Sequence, residues 1–383
     1  MPRPDPPSPQ NAPRIALAAG GTGGHVMPAL ALAEALREES PGIDLLFFSG
    51  SKEQELRWYR AEGAEPVALP AAPLAGGWRG KARGLWAAWK SFRLARRALL
   101  EWRAHAVAGL GGYVSGPCVL AGARLGLPTV IHEQNAVAGK TNRWLAPRVT
   151  AVATTYPEAF ARAGRIRRLV ATGNPIRRRV LPPASAAQGR ERFGLDPGRP
   201  TLLVCGGSQG AKRLNDALLE FLASPGLEEI ANLQILWIAG AANYEQVRER
   251  LRNRGGEGRA RLVPFIEEMG LAYAAADAVL CRAGSASLAE AAAWGLPAIA
   301  VPLPWAADDH QRRNAEWFAQ GGACVVIEEQ GLNARQLAGA LASVLGDPVA
   351  RGAMSEAARR LARPQAARDL ARLVLETLAL AKG

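Results

Sequence analysis

Glycine fills four of the five positions from 20 to 24, and the run ends in His25. An apolar stretch (15–19) precedes it and an alanine- and leucine-rich stretch (28–36) follows, the pattern of a buried strand, a tight loop and a helix. A loop so poor in Cβ atoms lets backbone N–H groups close on an anion at a helix N-terminus, which suits a phosphate. The positive end of a helix also depresses the pKa of an imidazole, so His25 is placed to stay neutral and to take a proton from a hydroxyl. The alternative is a histidine that only caps the helix.

Three further clusters carry possible chemistry. Gly206-Gly207-Ser208-Gln209-Gly210 fits G-x-S-x-G between a strand and a helix, and Asp277 and His310 follow in the order of a serine hydrolase. That reading leaves the first glycine loop unexplained, whereas a phosphate- or base-binding turn accounts for both. The segment 282–291 opens a helix with Ser285 and Ser287 near its start, suited to a diphosphate, and with Glu290 suited to accept from two neighbouring ribose hydroxyls. Its alternative is a capped helix with a surface glutamate. Glu133, in His132-Glu133-Gln134-Asn135 at the end of a strand, is a second proton acceptor. Two cofactor classes drop out. A dinucleotide fingerprint needs glycine where Val26 stands and an acid near Ser49-Gly50-Ser51, and the P-loop-like Gly139-Lys140-Thr141 needs glycine where Gln134 stands.

These residues need elements to carry them. Strands at 44–48, 65–69, 106–108, 128–132, 150–153 and 169–171 alternate with helices in the first half. After a charged, proline-bearing linker (177–200) come strands at 201–205, 234–239, 260–263, 278–281, 298–301 and 323–327. Alternation of this kind predicts parallel, doubly wound α/β sheets whose ligands sit at the carboxyl ends of the strands, in two Rossmann-like halves facing a cleft. A chain of 383 residues is long enough for two such domains.

The chain is 49% hydrophobic with a mean hydropathy of −0.04, which describes a globular protein with ample core. It carries 47 lysines and arginines against 34 acids, nearly all the cations arginine, and this admits anionic partners. Cys118, Cys205, Cys281 and Cys324 are far apart, which argues for reduced core thiols rather than disulfides or zinc. Residues 1–13 are polar and proline-rich, an expected disordered extension without the apolar core of a signal peptide. The uncharged stretches 104–123 and 291–307 contain too much glycine or proline to read as spanning helices. A helix over 85–103 carries Trp86, Trp89 and Phe92, with Trp78 before it, interleaved with Lys81, Arg83, Lys90, Arg93, Arg96 and Arg97. That is the composition of a segment seated on an anionic membrane surface; the alternative is an aromatic core face with a basic outer face. No nucleic-acid motif accompanies the charge.

The two glycine loops (20–29 and 111–117), His132-Glu133-Gln134-Asn135, Gly173-Asn174-Pro175-Ile176-Arg177, Gly206–Gly210 and Asp308-Asp309-His310-Gln311-Arg312-Arg313-Asn314-Ala315 occur in this order. Together they closely resemble the MurG family of bacterial N-acetylglucosaminyltransferases, over about residues 14 to 380. The resemblance implies a two-domain GT-B glycosyltransferase that moves GlcNAc, with inversion, from UDP-GlcNAc to the C4 hydroxyl of MurNAc in undecaprenyl-diphosphate-MurNAc-pentapeptide, with no metal or other cofactor. It implies an acceptor- and membrane-binding domain at 14–175, onto which a helix from about 364–383 packs, and a UDP-GlcNAc-binding domain at 176–363. It assigns donor contacts to Thr22, Gly23, Gly24, Asn135, Arg177, Ser208, Ile266, Ser285, Ala286, Ser287, Leu288, Ala289, Glu290 and Gln311. The glycine loops of the first half would hold the acceptor diphosphate, with His25 or Glu133 as the base. The protein would then work at the cytoplasmic face of the inner membrane as a peripheral protein. The chain departs from the family pattern at Met27, where phenylalanine is usual, and at Ala289, where a hydroxyl is lost.

Overall fold

The computed structural model describes residues 12–70, 72, 77–161, 163–206, 211–224, 232–254, 256 and 258–381. By its internal contacts the chain divides between Arg177 and Arg178, and again between Pro364 and Gln365.

The first unit runs β1 (Arg14–Ala18), α1 (Gly23–Glu39), β2 (Asp44–Gly50), α2 (Glu53–Arg60), β3 (Val67–Leu69), α3 (Trp78–Glu101), β4 (Ala106–Gly109), α4 (Gly112–Arg124), β5 (Thr129–Glu133), α5 (Lys140–Leu145), β6 (Ala151–Thr154) and β7 (Leu169–Ala171). Its strands form a parallel sheet in the order β3-β2-β1-β4-β5-β6-β7. Central strands such as Ile15–Ala18 and Ala106–Gly109 are buried throughout. Helices cover both faces of such a sheet, so its strands are apolar at every position instead of alternating. From β1 the chain moves one way to β2 and β3, then crosses to β4 on the other side. The switch point of the sheet therefore lies between β1 and β4.

The second unit runs α6 (Ala186–Phe193), β8 (Thr201–Cys205), α7 (Lys212–Ala223), β9 (Gln234–Ile238), α8 (Tyr244–Asn253), β10 (Ala260–Val263), α9 (Met269–Ala275), β11 (Ala278–Cys281), α10 (Ser285–Ala293), β12 (Ala298–Ala300), α11 (His310–Gln320), β13 (Cys324–Val326), α12 (Ala334–Leu341) and α13 (Pro348–Leu361). Its parallel sheet has the order β10-β9-β8-β11-β12-β13, with the switch point between β8 and β11. Trp237, Phe221, Leu280 and Leu337 lie in its core. All four cysteines are buried and unpaired.

The last helix, α14 (Ala366–Leu380), belongs to the first unit, where Leu370, Leu373, Val374 and Leu378 join its core. Full burial of such side chains contributes about 1.5–3 kcal/mol each. Arg368 and Arg372 on α14 also pair with Glu39 on α1, exposed contacts of small energetic weight.

The helix α3 corrects one expectation. It begins at Trp78 rather than near 85, and its inward stripe is Gly84, Ala87, Ser91, Ala95 and Leu99. Trp78, Leu85, Trp86, Trp89, Leu94 and Leu100 are exposed and Phe92 is half-buried, so the aromatic residues do not form a core face. Arg79, Lys90 and Arg93 lie over the rings of Trp78, Trp86 and Trp89 at 5.1–5.2 Å. No helix among the described residues is long and apolar enough to cross a membrane.

Candidate active site

At the switch point of the first sheet the two glycine loops meet. A Cβ on Gly112 would lie 2.0 Å from the Gly20 carbonyl oxygen, and one on Gly111 would lie 2.5 Å from Cδ2 of His25. Both glycines have positive φ, 78° and 99°, so the contact needs glycine for conformation as well as for room. His25 Nδ1 stands 3.2 Å from the Gly20 carbonyl and 3.4 Å from the Thr22 hydroxyl. A carbonyl oxygen only accepts, so Nδ1 carries the proton, and in the neutral ring Nε2 keeps the lone pair. Thr22, Gly23 and Gly24 form the start of α1 beside this ring. The first turn of α1 contains no acid and no side chain caps it. Its positive dipole end is thus left for an anion.

Glu133 is buried and fully engaged within its own loop. Oε1 accepts from the backbone and side-chain nitrogens of Asn135 at 3.0 and 3.3 Å, and Oε2 accepts from Gly139 N at 3.0 Å and Asn142 Nδ2 at 2.8 Å. Four donors on one carboxylate make it a clamp for the loop that follows β5. Gln134 Nε2 donates 2.6 Å to the Leu110 carbonyl and so ties this loop to the second glycine turn. His132 Nε2 donates 2.8 Å to the Gly173 carbonyl, joining β5 to Gly173-Asn174-Pro175; burial pushes its pKa down to about 4, against that hydrogen bond. Arg177 is also buried. Its guanidinium donates to Glu34 Oε1 from Nε at 2.8 Å and Nη2 at 2.5 Å, and to Glu62 Oε1 from Nη1 at 2.7 Å. In this structure Arg177 braces α1 against the end of α2, and meeting a diphosphate would require it to release these acids.

At the switch point of the second sheet, Cys205 of β8 and Cys281 of β11 are register partners. Two connections leave this point. The one after β8 contains Ser208, which lies outside the described residues together with 207, 209 and 210. The other leads through Gly284 into α10, whose first turn has no acid and no side-chain cap. Ser285 and Leu288 are buried and Ala286, Ser287, Ala289 and Glu290 are half-buried. Burial raises the Glu290 pKa to about 7, opposed by a 2.8 Å hydrogen bond from the hydroxyl of Tyr273 on α9. Ile266, buried, lies on the β10–α9 connection along the same carboxyl edge. Gln311 Oε1 accepts from Leu303 N at 3.0 Å and fixes the loop after β12. Just before it, Asp308 and Asp309 both hold φ above 50°, a strained conformation of the kind that clusters at ligand sites.

Residues 15–154 match the model for the glycosyltransferase family 28 N-terminal domain, and residues 201–372 match the model for its C-terminal domain. The chain belongs to glycosyltransferase family 28. It is 42% identical over 363 residues to the UDP-N-acetylglucosamine--N-acetylmuramyl-(pentapeptide) pyrophosphoryl-undecaprenol N-acetylglucosamine transferase of Halorhodospira halophila, covering 92% of this chain and 95% of that one. The enzyme of the same name from Solidesulfovibrio magneticus is 41% identical over 373 residues, with 94% and 97% covered. Among solved structures, Acinetobacter baumannii MurG superposes with a TM-score of 0.74 at 30% identity, covering 95% of this chain and 99% of that one. Two parallel-sheet α/β domains and this neighbour establish the GT-B fold.

The serine hydrolase alternative fails within this family 28 fold. Asp277 precedes β11, where it accepts from Thr201 N at 2.8 Å and from Arg190 Nη2 at 2.9 Å, at the amino end of the sheet. Gly206 follows the carboxyl end of the neighbouring strand β8, and His310 opens α11 with Nδ1 2.7 Å from the Ala307 carbonyl. Asp277 thus lies at the other end of the sheet from Gly206, where the G-x-S-x-G segment begins. Motif reading missed two residues that hold candidate site residues in place. Tyr273 stands in an alanine-rich stretch with no motif around it, and the clamp residue Asn142 has no signature beyond its place after Gly139.

Proposed function

We propose that this family 28 chain transfers N-acetylglucosamine from UDP-GlcNAc to the C4 hydroxyl of the MurNAc residue in undecaprenyl-diphosphate-MurNAc-pentapeptide, a step of peptidoglycan synthesis. The observation that carries the reading is the near-full-length identity of 42% to a transferase of that name, joined to a histidine at a glycine-lined switch point whose Nδ1 is held by the Gly20 carbonyl. In this reading Nε2 of His25 takes the proton of the acceptor hydroxyl, while Nδ1 stays bound to the Gly20 carbonyl. Glu133, with both oxygens engaged by its own loop, positions Asn135 rather than acting as the base. Thr22, Gly23 and Gly24 face the transferred sugar and the acceptor diphosphate. The leaving UDP gathers negative charge as C1 acquires oxocarbenium character. The N-terminus of α10, with Ser285 and Ser287, offsets that charge electrostatically, and Glu290 takes the ribose. Ser208, Ile266 and Gln311 complete the donor contacts. The exposed Trp86 and Trp89, each under a cation, seat the first unit on the anionic cytoplasmic surface of the membrane that holds the lipid-linked acceptor. Transfer of labelled GlcNAc from UDP-GlcNAc to a lipid-linked MurNAc acceptor tests the reading. Absence of transfer with the folded protein, or transfer only from another UDP-sugar, would overturn it.

A further inference from the structure

The second switch point holds a group that takes no ligand in the reading above yet touches the residue assigned to the ribose. Tyr273 is buried, and its hydroxyl donates 2.8 Å to Glu290 Oε2. The helix that carries it is fixed on two sides. Where α6 crosses, a Cβ on Gly189 would lie 2.4 Å from the Leu271 carbonyl oxygen and 2.6 Å from Ala275 N. Where the chain passes Arg179, a Cβ on Gly270 would lie 2.5 Å from its carbonyl oxygen. Backbones in such close approach leave α9 little room to shift, and a buried phenol on it holds its hydroxyl in one place. Glu290 is the opposite case, a half-buried chain of three torsions that loses much rotamer freedom when it is ordered.

We propose that Tyr273 is the positioning residue of the donor site: it pins one carboxylate oxygen of Glu290 so that the remaining acceptor positions are presented, already ordered, to the vicinal hydroxyls of the nucleotide's ribose. The proposal rests on the assignment of Glu290 to the ribose. Besides Tyr273, Cys281 at the end of β11 interacts with this carboxyl, and Cys205 at the end of β8 lies against both Tyr273 and Cys281, with Cys324 close to Cys281. Burial holds the Tyr273 phenol, and the Cys205 hydrogen bond together with burial holds the Cys281 thiol, protonated well past neutrality. The Glu290 carboxyl titrates near 7, and the tyrosine hydrogen bond favours its charged form.

Calorimetric titration with UDP-GlcNAc in the absence of acceptor tests this, because the donor's diphosphate keeps its charge across the neutral range. The wild type should bind more tightly as pH rises through about 7, where Glu290 ionises. Tyr273→Phe keeps the ring that fills the core. It should weaken binding about tenfold, the effect of losing one hydrogen bond to a charged group, and raise KM with kcat nearly unchanged. It should also move the pH midpoint of binding upward. Glu290→Gln should make binding independent of pH in this range, and the double variant Tyr273→Phe/Glu290→Ala should bind no more weakly than Glu290→Ala alone. Wild-type binding by Tyr273→Phe, an equal loss at every pH, or additive losses in the double variant would overturn the positioning role. Unchanged binding by Glu290→Ala would instead overturn the ribose assignment beneath it. Should Tyr273→Phe not fold, a pH-dependent Glu290→Gln would still count against the proposal.

Discussion

Replacing Gly111 with alanine tests whether the meeting of the two glycine loops sets the position of His25. Gly111 caps α4 at φ 99° and ψ −177°, a region open to glycine that other residues enter at about 1–3 kcal/mol. Its Cβ would stand 2.5 Å from His25 Cδ2 and 2.9 Å from Nε2, where ordinary contact begins at 3.4 Å. The ring must therefore retreat by about 0.9 Å (3.4 − 2.5). A displacement of about 1 Å at a reacting group lowers the rate about 100-fold, equivalent to about 2.7 kcal/mol in the barrier. Gly111→Ala should accordingly lower kcat about 100-fold while UDP-GlcNAc affinity by calorimetry stays within a few-fold of wild type. Backbone strain alone could also reduce activity, and Gly126 supplies the control. It has φ 75° and nothing within 4 Å of its would-be Cβ, so Gly126→Ala carries strain without the contact. Both variants should lose a few degrees of Tm, and only Gly111→Ala should lose turnover. A folded Gly111→Ala with wild-type kcat refutes the placement of His25 at the reacting centre. Equal losses in both variants would show that strain, not contact, is responsible.

Three other perturbations follow from the same geometry. His25→Ala should lower kcat by about 100- to 10,000-fold, the usual contribution of a positioned general base, with donor binding intact; unchanged turnover in the transfer assay would remove His25 from that role. Trp86 and Trp89 are 58% and 55% exposed, so their joint replacement by serine should leave Tm unaltered and reduce co-sedimentation with anionic vesicles. Undiminished sedimentation would mean that α3 is not the membrane contact; half-buried Phe92 is left in place so that folding does not confuse the result. The His132 pKa is held at about 4, below its ordinary 6.5, so the native state resists protonation that the unfolded chain accepts. Its contribution to stability is present in full above pH 6.5 and is lost as pH falls towards 4, about 3 kcal/mol in all. Chemical denaturation at pH 7 and pH 4.5 should show this loss, and His132→Gln should flatten it; an identical loss in the variant would assign the acid sensitivity to other groups.

The sheets were legible because strands covered on both faces are largely apolar, and the two glycine loops meet at the switch point of the first sheet because a parallel sheet opens there. What stayed hidden concerns which end or which face a residue occupies. Order along the chain cannot reveal that Asp277 enters β11 at the end of the sheet away from Gly206. The aromatic residues of α3 could have faced inward on composition alone. Small residues decide the matter, because Gly84, Ala87, Ser91 and Ala95 let α3 lie close to its neighbours and leave no room for tryptophan on that side. Arg177 reads as an anion ligand beside Gly173-Asn174-Pro175, yet its partners Glu34 and Glu62 lie 143 and 115 residues away in sequence. A carboxylate such as Glu133 looks equally reactive in sequence whether it faces a substrate or four donors of its own loop.

The helix starts at the two switch points carry no side-chain cap, as is the case for most helices of the chain. Ser185, Asn333 and Asp347 cap α6, α12 and α13 with side-chain hydrogen bonds, away from either switch point. Thr22 has the extended backbone of a capping residue, φ −146° and ψ 163°, and a residue type that caps well. Its hydroxyl nevertheless makes no cap and lies 3.4 Å from His25 Nδ1 instead. A capping bond there would stabilise α1 by about 1 kcal/mol. Forgoing it leaves the N–H of Gly24, the second residue of α1, without that acceptor at the point where the glycine loop gives an anion access. The start of α10 repeats the choice with Gly284, which has no side chain to cap with. What distinguishes α1 and α10 is their place: each starts at the switch point of its sheet, where an uncapped, acid-free first turn can take the negative charge of a substrate.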